Sequence, residues 1–187
     1  LLVGDRDSRG RAGLCYQLSL SPMESTRRVA ILDVDFHHGN GTQQIFYRRD
    51  DVLFASLHGD PDVTFPYFSG YTDETGEGVG EGFTINYPLP PGTSVATWMA
   101  ALDEALAHIH RAECELLVVS LGVDIFEGDP ISAFTFQHVD FIALGQRLAA
   151  AGLPCVFLME GGYAVEDIGV NVVNVLQGFE EVTQGVK

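Results

Sequence analysis

From residue 29 onward, short apolar runs alternate with longer segments of helical periodicity. The runs at 29–32, 52–57, 115–121 and 155–159 are almost continuously apolar, the pattern of strands buried on both faces. Phe83-Thr84-Ile85-Asn86-Tyr87 alternates instead and reads as a shorter strand. Between the runs, Val95, Trp98, Met99, Leu102, Ala105, Leu106 and Ile109 recur at steps of three and four, which predicts an amphipathic helix. Phe141, Leu144 and Leu148 predict a second, stopped by Gly152-Leu153-Pro154. Val165, Ile168, Val172, Val175, Leu176 and Phe179 predict a third. Buried strands alternating with amphipathic helices imply an α/β domain with a mainly parallel sheet.

Two regions fall outside this rhythm. Residues 59–82 form a long glycine-rich stretch, and a loop of that length inside a compact domain is usually functional or disordered. Residues 1–26 are polar and aperiodic at 5–11, and nothing in them places a strand. The expected organisation is a segment at 1–26 set apart from a folded domain at 27–187. The first residue is Leu1 rather than Met, so the natural start is expected elsewhere.

Charge narrows the partners. With 10 Lys and Arg against 26 Asp and Glu, the formal net charge is −16. Such a surface repels nucleic acid and anionic lipid and favours cationic ligands. No apolar stretch approaches the roughly 20 residues of a membrane helix, and the first residues lack a secretory pattern, which makes the cytoplasm the expected location. Cys15, Cys114 and Cys155 are odd in number and lack metal-pair spacing, so no disulfide framework is expected.

The candidate chemistry sits where buried runs stop. Asp33-Val34-Asp35-Phe36-His37-His38-Gly39-Asn40-Gly41 follows the first run, Gly122-Val123-Asp124 the fourth, and Glu160-Gly161-Gly162-Tyr163 the fifth. Parallel sheets bind ligands beyond the carboxyl ends of their strands, so Asp35, His37, Asp124 and Tyr163 are expected around one crevice. Asp35 and His37 are two apart and would share a side on an extended backbone. Two carboxylates and an imidazole suit zinc, with one position left open for water. An isolated Asp-x-His is more often a cap or turn than a ligand pair; the convergence of three strand ends carries the reading.

These segments, with Ser56-Leu57-His58, Glu127-Gly128-Asp129-Pro130 and Thr42, resemble the histone deacetylase superfamily in order and spacing. Pro66-Tyr67-Phe68-Ser69-Gly70-Tyr71 and the acidic glycine loop after it look most like its acetylpolyamine amidohydrolase branch. The resemblance implies a three-layer arginase/deacetylase-like α/β fold and a zinc-dependent hydrolysis of acetylated amines, whether small cationic acetylpolyamines or acetyl-lysine. It implies zinc ligands Asp35, His37 and Asp124, and Tyr163 as the hydroxyl donor to the developing oxyanion. It also implies a structural monovalent cation, potassium, near Asp33, Asp35, His37, Ser56 and Leu57. Phe65 matches a tunnel-lining position, Gly161 and Gly162 would border the substrate, and the branch implies a homodimer. His38 and His58 read as structural.

One element of the pattern is absent. The family carries a His-His pair upstream of its first zinc motif, one member being the general base, and residues 1–26 contain no histidine. Losing a positioned base typically costs about 10²–10⁴-fold in rate. The expectation is the C-terminal portion of a catalytic domain, truncated or frame-disrupted upstream, with its N-terminal strands missing. A shortened, non-catalytic metal-binding or interaction module is the alternative. A two-metal ureohydrolase is disfavoured, because Gly39 follows the His37-His38 pair and Ile125-Phe126 follow Asp124 where further aspartates would be wanted.

Overall fold

The computed structural model describes residues 28–185; the expectations for residues 1–26, Cys15 included, lie outside them. Five strands, β1 (Arg28–Asp33), β2 (Val52–Gly59), β3 (Thr84–Leu89), β4 (Cys114–Leu121) and β5 (Cys155–Met159), form one sheet in the order β3-β2-β1-β4-β5. Every pairing is parallel. The helices are α1 (Asn40–Phe46), α2 (Val95–Arg111), α3 (His138–Ala150) and α4 (Ile168–Gly185).

The continuous apolar runs are explained by cover on both faces. Odd and even positions of β1 separate into two cores: Ala30 and Leu32 join Trp98, Leu102 and Ile109 of α2 and Phe141, Leu144 and Leu148 of α3. Val29 and Ile31 pack with Val52, Phe54, Val118, Leu158 and Phe46 of α1 on the opposite face. β2, flanked by strands on both sides, is buried along its whole length. α2 begins at Ser94, whose hydroxyl accepts from the Thr97 amide at 3.2 Å. Asp140 caps α3 by accepting from the Gln137 amide at 2.8 Å, an arrangement that satisfies one of the donors a helix start leaves unpaired. α3 and α4 cross closely because Gly145 and Gly178 lack side chains. A Cβ on either would lie 2.0 Å from a backbone oxygen of the other helix, Val175 and Ile142 respectively.

The departures from the expected elements are local. Val165 precedes α4 and is 79% exposed, because the chain is still turning through 164–168. The third strand starts at Thr84 and runs on to Leu89, through Pro88. Proline cannot donate to a ladder, so it fits a strand that pairs only with β2 among the described residues. α1 has no counterpart in the sequence reading. Its seven residues bury only Gln43 and Phe46, too few positions to create a period. The 60–82 stretch is organised rather than loose: Glu74 accepts from Gln43, Ser69 and the amides of Gly70 and Tyr71 through one carboxylate oxygen.

Candidate metal centre

The strand register brings the polar segments side by side. Asp33 lies level with Ser56 on one side and Ser120 on the other, and Ser120 is level with Leu158. The residues just beyond each strand therefore share one end of the sheet. β1 stops at Asp33 and the chain bends through 35–37. Asp35 and His37 thus meet because of a bend, not through the extended alternation expected of them. The Asp33 carboxylate accepts from the Asp35 amide at 3.1 Å, and Asp35 in turn accepts from the His37 amide at 2.8 Å. Asp124, fully buried, fastens the bend by accepting from the Phe36 amide at 2.8 Å.

Ligand atoms of Asp35, His37 and Asp124 lie within 4.8 Å of one another. His37 Nδ1 stands 3.7 Å from Asp35 Oδ1 and 3.8 Å from Asp124 Oδ2. These separations are too long for hydrogen bonds and close to what a small tetrahedral ion at about 2.0–2.1 Å from each ligand requires. Asp124 Oδ2 is buried with no hydrogen-bond partner, although a buried carboxylate oxygen ordinarily has one. Burial, followed by the neighbouring Asp35 charge, pushes the Asp124 carboxyl up to about 7. Burial alone would lower the His37 imidazole, but its approach to Asp124 and Asp35 lifts it to about 9. Two crowded carboxylates with one orphaned oxygen and one imidazole make a donor set that fits a single divalent cation of the zinc type.

Backbone closeness completes the cradle. A Cβ on Gly161 would stand 2.2 Å from Asp124 Oδ2 and 2.5 Å from Asp35 Oδ2. Only glycine lets this turn pass the carboxylates, and its amide donates to Asp35 Oδ2 at 2.7 Å. A cleft of about 320 Å³ opens above, lined among others by Asp33, Asp35, His37, Phe65, Gly161 and Tyr163. The Phe65 ring is 55% exposed and meets the His37 imidazole edge-on at 6.1 Å between centroids. Tyr163 is 53% exposed at the same cleft. Gly162 lies over Val123 and Ile168. Glu160 and the start of α1 also line the cleft. The sequence pattern marks neither as a site element, since Glu160 stands there only as the start of the Gly-Gly-Tyr segment.

Beneath the cluster, Ser56, Leu57, His38 and His58 are buried. His58 Nε2 lies 2.9 Å from the Gly70 carbonyl, so it carries the proton and donates. His58 Nδ1 is then the acceptor for the Ser56 hydroxyl at 2.8 Å. His38 Nδ1 stands 3.4 Å from the same hydroxyl oxygen. Burial, aided by the adjacent His58, pushes His38 down to about 3, and burial pushes His58 down to about 4. Asp33 is also buried, and burial followed by the charges of Asp35 and Glu160 holds its carboxyl well above the usual range.

A parallel α/β sheet with a carboxylate–imidazole cluster at the carboxyl ends of its strands is the architecture of metal-site α/β proteins. The profile of the histone deacetylase domain matches residues 17–179. Over 157 residues the chain is 61% identical to acetylpolyamine amidohydrolase 1 of Pseudomonas aeruginosa, covering 84% of this chain and 45% of that protein. Over 155 residues it is 56% identical to the acetylpolyamine amidohydrolase of Mycoplana ramosa, covering 83% and 46%. Among solved structures, the acetylpolyamine aminohydrolase from Burkholderia pseudomallei superposes with a TM-score of 0.81 at 42% identity, covering 83% of this chain and 45% of that one. A histone deacetylase homologue from Aquifex aeolicus gives 0.78 at 30% identity, covering 89% and 45%. The chain belongs to the histone deacetylase family and has its arginase/deacetylase-type α/β fold. It spans just under half the length of these relatives. Among the described residues no helix is long and apolar enough to cross a membrane.

Proposed function

We propose that Asp35, His37 and Asp124 bind one zinc ion and that the site serves hydrolysis of acetylated amines, releasing acetate and the free amine. The observation that carries this reading is the orphaned, buried Asp124 Oδ2, in a cluster whose ligand atoms from Asp35, His37 and Asp124 lie within 4.8 Å of one another. Bound zinc would supply polarisation of the amide carbonyl and activation of the attacking water. The chain's own residues do the rest. Tyr163 donates its hydroxyl to the oxygen on which negative charge develops. Phe65, Gly161 and Gly162 confine the acetyl-bearing arm, and the Phe65 ring turns its edge to His37. Asp33, Asp35, His37, Ser56 and Leu57 would hold a potassium ion.

Acetylpolyamine is favoured over acetyl-lysine protein. The relatives named for that substrate are the more similar ones, and the net charge of −16 complements a polycation. His38 also lines the cleft, but a group pushed down to about 3 is a poor proton acceptor at neutral pH. It is structural, as is His58, and the general base must come from elsewhere. That observation keeps a second reading in play, a metal-binding module without turnover.

The test is the purified chain with zinc supplied, assayed for metal content and for hydrolysis of acetylputrescine and an acetyl-lysine peptide. About one zinc per chain, lost in Asp124→Ala, is expected. Full zinc retention by that variant defeats the ligand assignment. One zinc with no hydrolysis of either substrate establishes the module instead.

A further inference from the structure

The Glu127-Gly128-Asp129-Pro130 segment has no part in the site as described so far, yet its aspartate is 95% buried. We propose that Asp129 is the positioning residue for Tyr163. One of its carboxylate oxygens, Oδ2, accepts from the Tyr163 amide at 2.6 Å and from the Ala164 amide at 3.0 Å. The other, Oδ1, accepts from the Ile131 amide at 3.1 Å. A carboxylate removed from water is held by such charge-assisted bonds, which are shorter and stronger than neutral ones. Here two of the three hold the peptide units on either side of the Tyr163 Cα.

The chain around Tyr163 shows why a tether is needed. Gly162 has φ 152°, outside the range that side chains favour, and offers no side chain to anchor the turn. Upstream, the turn is fixed at Gly161, whose amide donates to Asp35 and whose carbonyl accepts from the Val123 amide at 2.8 Å. Downstream, regular structure resumes where Ile168 donates to the Ala164 carbonyl at 3.1 Å. Between these fixed points the amides of Tyr163 and Ala164 both donate to the Asp129 carboxylate.

Asp129 is itself rigidly mounted. Its amide donates to the Phe126 carbonyl at 3.0 Å, and Glu127 donates to the Phe136 carbonyl at 2.9 Å. The same loop begins at Asp124, so one short segment carries a proposed zinc ligand at one end and the tether of the proposed oxyanion donor at the other. The aim of the phenol relative to the metal ligands is thereby set through Asp129. A tyrosine hydroxyl that donates to substrate chiefly in the transition state requires such preorganisation. This inference rests on the reading of Tyr163 as hydroxyl donor.

The experiment uses the full chain loaded with zinc and carrying 3-fluorotyrosine at position 163, in parent, Asp129→Asn and Asp129→Ala forms. In the parent a single fluorine resonance is expected, displaced from that of the unfolded chain. Asp129→Ala should move it toward the unfolded position and speed amide exchange in the 160–166 segment at least about tenfold. Exchange in β1 and β4 and the zinc content should not change. Asp129→Asn, which keeps an accepting oxygen, should restore most of the parent signal.

With acetylputrescine, Asp129→Ala should lower kcat by about 10- to 100-fold with KM changed less than threefold, and should add nothing in a Tyr163→Phe background. An unchanged fluorine signal and unchanged local exchange in Asp129→Ala overturn the proposal. So does zinc loss or faster exchange throughout the chain, which would mark Asp129 as merely structural. If the parent hydrolyses nothing, the proposed activity fails, while the fluorine and exchange measurements still decide the role of Asp129.

Discussion

His37 and His38 are neighbours in the chain and opposites in the fold. His37 projects between two carboxylates at the open cleft and is lifted to about 9. His38 turns inward beside His58 and Ser56, where burial lowers it to about 3. Residue type and sequence position therefore say little about charge state. What decides it is whether the bend after β1 delivers the ring to anions or to a dry, hydrogen-bonded interior. The first setting suits a ligand for a cation, and the second suits a support that stays neutral.

The largest effect should come from closing the space beside the two carboxylates that His37 faces. Gly161→Ala forces a Cβ onto Asp124 Oδ2 and Asp35 Oδ2. Zinc affinity is expected to fall on the order of 100-fold, read by competition with a chromogenic chelator. Undiminished affinity would mean that the carboxylates do not form the cradle.

Exchanging the two histidines one at a time comes next. His37→Ala should leave a chain that no longer retains zinc through dialysis. His38→Ala should retain zinc near one per chain and lose about 1–3 kcal/mol of stability in urea, since it deletes a buried hydrogen-bonding group. The reverse pattern would exchange their assigned roles.

Acidification separates the buried pair from the cleft. In the unfolded chain a histidine titrates near 6.5, whereas His58 in the fold is pushed down to about 4. The unfolded form therefore takes up the proton first. The stabilisation from neutral His58 is complete above about pH 6.5 and is lost as the pH falls toward 4, a change on the order of 3 kcal/mol. Urea midpoints of the parent and His58→Asn should converge over that window, and a constant gap would show that His58 is not held neutral.

The smallest effect on stability and metal content belongs to Tyr163→Phe. The side chain is half exposed, so unfolding free energy should stay within about 0.5 kcal/mol and zinc content should not change. A large loss of either would make Tyr163 a structural residue.

The strands and long helices were legible because burial on both sheet faces, or on one helix face, writes its period into the sequence. Trp98, Leu102 and Ile109 point to α2 unaided, and the runs at 115–121 and 155–159 fall on β4 and β5. The cluster of Asp35, His37 and Asp124 was legible as polar segments following two separate strands. α1 was not, because two buried side chains make no pattern. Nor was the role of Asp129, although its motif was visible, since a buried carboxylate serving backbone amides leaves no periodic trace.

Composition and periodicity by themselves determined a parallel α/β sheet with its polar chemistry gathered at one end, because apolar residues must be covered and strand ends are where the cover stops. Tertiary structure alone decided that Asp35 and His37 meet through a bend, that His38 stays neutral while His37 faces two anions, and that Asp129 reaches the Tyr163 turn. Those outcomes depend on distances of a few ångströms between segments remote in the chain, and only packing sets them.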